Sequence, residues 1–129
     1  MSMFEYEYLH HVSLSVRNLE QAHKFYSGLL GFTQLERPPF DSKGVWYAVG
    51  TQQLHLLENP LGETLRQGPI DTIDGHFAVW VKSFANTIAE LEAKGIPYEA
   101  RPGSLAGFSQ IFVLDPDHNI IEFDAAYGS

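Results

Sequence analysis

Four residues carry the chemistry this sequence offers: His11, His55, His76 and Glu122. Imidazole and carboxylate are borderline ligands, suited to Zn, Ni, Mn or Fe rather than to Ca or Mg. Four protein ligands leave positions open for water or substrate on a five- or six-coordinate ion. Such an ion polarises a bound oxygen and neutralises an enolate or alkoxide. A carboxylate sunk in a cup without a cation is costly, which ties Glu122 to positive charge. Spacing makes a set of the four. HVSLSVRNL starts at His11, and HFAVWVKSF, with the same alternation, starts 65 positions later at His76. LHLLE around His55 and IEFDA around Glu122 match in the same way. His11 therefore pairs with His76, and His55 with Glu122, across an internal repeat.

The elements that must position these residues follow from periodicity. In Leu9 to Val16, Val12, Leu14 and Val16 face one way and His11, Ser13 and Ser15 the other, as in a half-buried strand. Asn18 with Gln21 reads as a helix cap. Leu19, Ala22, Phe25, Tyr26 and Leu29 recur at helical spacing, and Gly31 ends the helix. Strands are predicted over 32–36, 45–49 and 53–58, and the loop from Arg37 to Gly44 flanks the cup. The stretch 61–75 is a linker, with one helical turn near Glu63 to Gln67. Alternation then returns: Phe77, Val79 and Val81 oppose His76, Ala78 and Trp80. A helix follows over about 83–94, stopped by Gly95 and Pro97. Strands near 98–100, 109–114 and 119–124 complete the second unit, with a turn at 115–119. The fold class is α+β: two tandem βαβββ modules, about 9–60 and about 76–126, forming a cupped mixed β-sheet with helices outside. We read residues 1–129 as one domain. Phe4, Tyr6 and Tyr8, at period two, offer an apolar edge for pairing.

Composition excludes several classes. There are no cysteines, so disulfides, zinc ribbons and thiol nucleophiles are out, and a cytoplasmic location suits the chain. Net charge is −8, with 8 Lys and Arg scattered singly against 16 acidic residues. A nucleic acid or an anionic membrane surface is not the expected partner. No apolar run is long enough for a membrane span, and no secretory leader is evident.

The stretches HHVSLSVRNLEQAHKFYSGLLGF, GTQQLHLLE, DGHFAVWV and LDPDHNIIEFD together resemble the vicinal oxygen chelate superfamily. That superfamily includes glyoxalase I, methylmalonyl-CoA epimerase, fosfomycin-modifying thiol transferases, extradiol dioxygenases and bleomycin-binding proteins. The resemblance implies that His11 and His76 are the ligands opening each module. It implies that Glu122 is the C-terminal ligand, which in glyoxalase-like members also moves the proton. His55 stands where glyoxalase I carries a glutamate and the epimerases a glutamine.

The leading expectation is a metal-dependent enzyme of the glyoxalase type. It would use one divalent transition metal ion and perform isomerase or lyase chemistry on a small molecule chelated through adjacent oxygens. His55 is either a ligand or a base behind the ion. The latter leaves the two-His, one-carboxylate set of non-haem Fe(II) oxygenases and gives the second reading, a ring-cleaving dioxygenase. The third reading is a metal-free module that sequesters a drug or metabolite. Ser13, Ser15, Gln53, Tyr47, Trp80 and Asp124 are expected on the cup or its rim. Arg101 is read first as a solvated side chain and second as a contact for a substrate anion, and the loop from Arg101 to Phe108 flanks the mouth. His10 is read as structural, His118 as a solvated turn residue and His23 as exposed on a helix. A homodimer is expected.

Overall fold

The computed structural model describes residues 3–129. In chain order the elements are β1 (His11–Val16), α1 (Leu19–His23) running on into a π-helical segment (Lys24–Leu29), β2 (Thr33–Leu35), β3 (Gly44–Val49), β4 (Gln52–Glu58), β5 (His76–Trp80), α2 (Phe84–Ala93), β6 (Glu99–Arg101), β7 (Ser109–Leu114) and β8 (Ile120–Ala125). This is βαβββ written twice, as predicted. The strands hydrogen-bond as two four-stranded sheets, ordered β1-β4-β3-β2 and β5-β8-β7-β6. In each sheet one pair is parallel, β1 with β4 and β5 with β8, and the rest are antiparallel.

The duplication extends to register. Ser13, two residues past His11, pairs with His55; Ala78, two past His76, pairs with Glu122. Alternation then places all four candidate ligands on the sheet faces turned away from the core. The other faces pack Val45, Tyr47, Leu54 and Leu56 from the first sheet with Ile111, Val113, Ile121 and Phe123 from the second. Burying a side chain such as Leu56, fully enclosed here, contributes about 1.5–3 kcal/mol.

Both helices start on a side-chain cap. Asn18 Oδ1 accepts the Gln21 N–H at 2.9 Å, and Ser83 Oγ accepts the Asn86 N–H at 3.0 Å. Gly31 and Gly95 end them at φ of 75° and 67°, a region open to glycine at little cost. The first helix departs from expectation in its second half. The Leu30 N–H reaches back five residues to the Phe25 carbonyl at 2.9 Å, a π-type turn. The wider turn sends both Phe25 and Tyr26 into the core.

Polar contacts lock the modules together. The Arg17 N–H donates to Asp117 Oδ1 at 2.9 Å, and the Arg17 guanidinium donates to the Arg66 carbonyl at 2.9 Å. Tyr26, fully buried, donates its hydroxyl to Asp115 Oδ2 at 2.7 Å. Asp115 also accepts the N–H groups of Asp117 and Asn119, each at 2.8 Å, which builds the predicted turn at 115–119.

Four expectations are corrected. Residues 3–10 form no strand, and Phe4, Tyr6 and Tyr8 are exposed; residues 1 and 2 of that lead-in lie outside the described residues. The linker holds turns but no helix around Glu63 to Gln67, because Arg66 ties it down through Asp74, Pro69 and the His118 carbonyl. His118 is not a free solvated side chain: its Nδ1 lies 2.8 Å from the Gly68 carbonyl. His23 is half-buried, stacked on Tyr47 with its Nδ1 2.7 Å from the hydroxyl. No helix among the described residues is long and apolar enough to cross a membrane.

Candidate functional site

The first sheet presents a column of rings. His55 is sandwiched between His11 and Trp46, with centroids 4.1 Å away on either side and ring planes within 17° and 4°. Trp46 stands directly across from His55 in the β3–β4 register, so the sheet itself sets this stack. His55 Nε2 lies 2.8 Å from Gln53 Oε1. The amide oxygen can only accept, so Nε2 carries the hydrogen and Nδ1 keeps the lone pair. Burial, then the neighbouring positive charge of His11, His10 and Arg37, pushes His55 down to about 4. The ring is therefore neutral at physiological pH, the form that ligates a metal. His10, expected to be structural, is exposed and holds its Nδ1 2.9 Å from that of His11. Two near-parallel stacked imidazoles aim their lone pairs along separate planes. For His11 and His55 to serve one ion, one ring must turn.

The second sheet presents a hydrogen-bonded line instead. His76 Nδ1 lies 2.7 Å from the Asp74 carbonyl and so carries the hydrogen. Its Nε2 lies 2.8 Å from Glu122 Oε1. The other oxygen of Glu122 accepts from Gln110 Nε2 at 3.1 Å, and Gln110 Oε1 accepts from the Ser104 hydroxyl at 2.8 Å. Glu122 is buried. Asp74, Gln110 and Ser104 were not singled out from the sequence. For Gln110 a signal existed: it and Phe112 alternate with the core residues Ile111 and Val113. Asp124 shares the face of Glu122. Burial, then hydrogen bonding to Glu122 and its charge, pushes Asp124 up to about 7.

The donor set fits a divalent cation. With Nδ1 committed to Asp74, a neutral His76 offers a lone pair at Nε2, and that lone pair faces a carboxylate oxygen. Two acceptors at this distance need a proton or a cation to hold them. Ligands about 2.0–2.2 Å from one ion, at right angles, sit about 3 Å from each other, close to the separation seen. Yet among the described residues no three His, Asp or Glu side chains gather to hold a metal. The predicted quartet stands as two pairs, His11 with His55 and His76 with Glu122. The reason is topological: the sheets are separate, and the two module-opening histidines lie on outer strands, where both are exposed.

The other expected residues divide. Ser13 and Gln53 share the His55 face. Trp80 is exposed, with Phe108 edge-on at 5.8 Å, so the loop before Ser109 does flank the site. Across the Arg37–Gly44 loop, Phe40 lies 6.1 Å from Trp46. Arg101 is exposed, its guanidinium 3.4 Å from Glu99 and 5.6 Å over the Phe112 ring. Tyr47 is not on the rim. It pairs with Leu54, so alternation buries it completely in the core.

Comparison with known proteins agrees with this architecture. The family model described as Glyoxalase/Bleomycin resistance protein/Dioxygenase superfamily matches residues 8–123. "Glyoxylase I 4" of Arabidopsis thaliana is 31% identical over 118 residues, covering 88% of this chain and 68% of that protein. A putative glyoxalase family protein from Bacillus anthracis superposes with a TM-score of 0.78 at 23% identity, over 96% of this chain and 99% of that one. A variant of the fosfomycin resistance protein FosX from Listeria monocytogenes, complexed with Mn(II) and dihydroxypropylphosphonic acid, superposes with a TM-score of 0.72 at 17% identity, over 95% and 94%.

Proposed function

This chain belongs to the Glyoxalase/Bleomycin resistance protein/Dioxygenase superfamily, and from that premise we propose that it is a metal-dependent enzyme. The substrate is a small molecule that chelates through adjacent oxygens, and the reaction is an isomerisation or lyase step. The carrying observation is the His76–Glu122 contact at 2.8 Å, with the far nitrogen of His76 committed to the Asp74 carbonyl. When bound, the divalent ion supplies acidity to a carbon-bound hydrogen by drawing charge from the substrate oxygens. Glu122 takes that proton and returns it. Gln110 holds the second carboxylate oxygen and so fixes which oxygen faces the substrate. The Listeria neighbour, with Mn(II) and a dihydroxypropyl phosphonate bound, supports both the metal and the adjacent oxygens.

The pairs His11–His55 and His76–Glu122 belong to one site if two copies associate, module one of the first against module two of the second. This homodimer reading is supported by the exposed ligand-bearing faces of β1 and β5. Complementation tests it. His11→Ala and Glu122→Gln chains each lack every intact site, whereas a mixed dimer carries one. Mixing should restore about one quarter of wild-type activity; a site built within one chain gives no rescue. A chain without cysteines also suits a reducing cytoplasm, and we place it there.

The test of the chemistry is metal content after purification without a histidine tag, together with deuterium exchange into hydroxyacetone in heavy water. Retained Ni, Zn, Mn or Fe and metal-dependent exchange, lost in Glu122→Gln, are expected. A chain that neither retains nor is stabilised by any of these ions overturns the reading and favours metal-free sequestration. The parallel His11–His55 stack favours one second reading. If His55 stays out of the ligand set, His11, His76 and Glu122 form the two-His, one-carboxylate set of Fe(II) ring-cleaving oxygenases. Oxygen uptake with catechols under Fe(II) separates the two.

A further inference from the structure

We propose that Asp124, Trp80 and Phe108 form a subsite that selects substrates carrying a protonated amine. This deepens the reading of the second sheet as a substrate face and rests on it. Three observations carry it. Asp124 is 8% exposed, and its Oδ1 is buried without a hydrogen-bond partner. Buried polar oxygens are seldom left unsatisfied without a role. Second, register places Trp80 directly beside Asp124 on the face that carries Glu122. Trp80 is 63% exposed, and the Phe108 ring meets it edge-on at 5.8 Å. An open indole next to a carboxylate matches an ammonium group on both counts, through cation–π attraction and a charge-assisted hydrogen bond. Third, no arginine or lysine among the described residues pairs with Asp124, whose hydrogen-bonded neighbour is the acid Glu122 and whose nearby imidazole, His76, is engaged by Glu122. Arg101, two strands away in the same row, is held by Glu99 and the Phe112 ring. The loop carrying Phe108 is pinned by Tyr127, whose hydroxyl accepts the Gly107 N–H at 3.1 Å and donates to the Ser104 carbonyl. The aromatic wall is thus built in place.

Matched probes test this by calorimetry. On metal-free protein, tyramine should bind about tenfold more tightly than 4-ethylphenol, the scale of one charge-assisted hydrogen bond. Asp124→Asn should erase that preference by weakening tyramine alone. If Asp124→Asn fails to fold, Trp80→Ala, at an exposed position, carries the test and should weaken tyramine more than 4-ethylphenol. No preference for tyramine, a preference that survives Asp124→Asn, or equal weakening of both probes by Trp80→Ala overturns the subsite. The chelation reading is checked separately with 4-ethylcatechol on Mn(II)-loaded and metal-free protein. Absence of a metal-dependent gain there, with the tyramine preference intact, sinks the metal reading and leaves the subsite standing.

Discussion

Trp46 in the first sheet and Phe112 in the second occupy matching positions, each directly across from a candidate ligand, His55 and Glu122. Around this shared frame the halves are lined differently. The first packs aromatic rings face to face and keeps its imidazole neutral. The second strings His76, Glu122, Gln110 and Ser104 along hydrogen bonds. Their interiors differ as well. Tyr26 of the first half stands where the second has Leu91, counting from His11 and His76, and Tyr47 stands where it has Val113 in the strand register. Duplication has thus conserved where side chains point while letting their chemistry diverge. One half offers nitrogen donors, and the other holds the acid that moves protons.

The largest expected contrast is catalytic. Glu122→Gln should lower the deuterium-exchange rate by about 10²–10⁴-fold, the usual contribution of a positioned base. His55→Gln should cost less, about 10–100-fold and chiefly through metal affinity. Equal losses, read from exchange rates at saturating metal, would break the division of labour between the halves.

Next come the interiors, measured by urea denaturation. Leu91→Ala should cost about 2–5 kcal/mol. Tyr26→Phe should cost about 1–3 kcal/mol, the penalty for breaking a buried hydrogen bond. It falls at the lower end because Asp115 Oδ2 keeps the Asn119 amide at 2.8 Å.

Alkaline titration sharpens the same contrast. Burial pushes Tyr47 up to about 12, and burial followed by the Asp115 charge raises Tyr26 as well. An unfolded tyrosine ionises near pH 10. Between the two values the folded chain holds a proton that the unfolded chain has released, so stability falls as pH rises through that window. Tyr47→Phe should flatten the fall, as followed by melting temperature from pH 9 to 11.5. The smallest effects should be symmetric: Asn18→Ala and Ser83→Ala should each cost about 1 kcal/mol. A clear inequality there would show that the halves differ in their scaffold as well as in their lining.

Much of this was legible in the sequence. Period-two alternation located the strands and the faces of all four candidate ligands. Asn18, Ser83, Gly31 and Gly95 marked the helix ends. What alternation cannot encode is how a ring turns about its own side-chain bonds, so the His11–His55–Trp46 stack was invisible. Nor does it separate α from π winding: Leu19, Ala22, Phe25 and Tyr26 reach the core as expected, but the π turn leaves Leu29 exposed and packs Leu30 there in its place. Tyr47 was misplaced on the rim, because only the register shows that it pairs with Leu54, a core residue. The aromatic lead-in alternates as a strand should, but no strand forms over residues 3–10. Gln110 escaped notice because it became meaningful only once β7 lay beside β8.

The carbonyl that holds the hydrogen on His76 Nδ1 comes from Asp74, the second-last residue before β5, inside the connector joining the modules. Connectors are ordinarily where a chain tolerates insertions most freely. Here the last residues before β5 are an exception, since adding or deleting one there would slide a different carbonyl, or none, under the imidazole. The site's proton inventory is therefore written partly in spacer length, and anyone re-engineering the join should graft upstream of Arg66 and leave the stretch from there to β5 untouched.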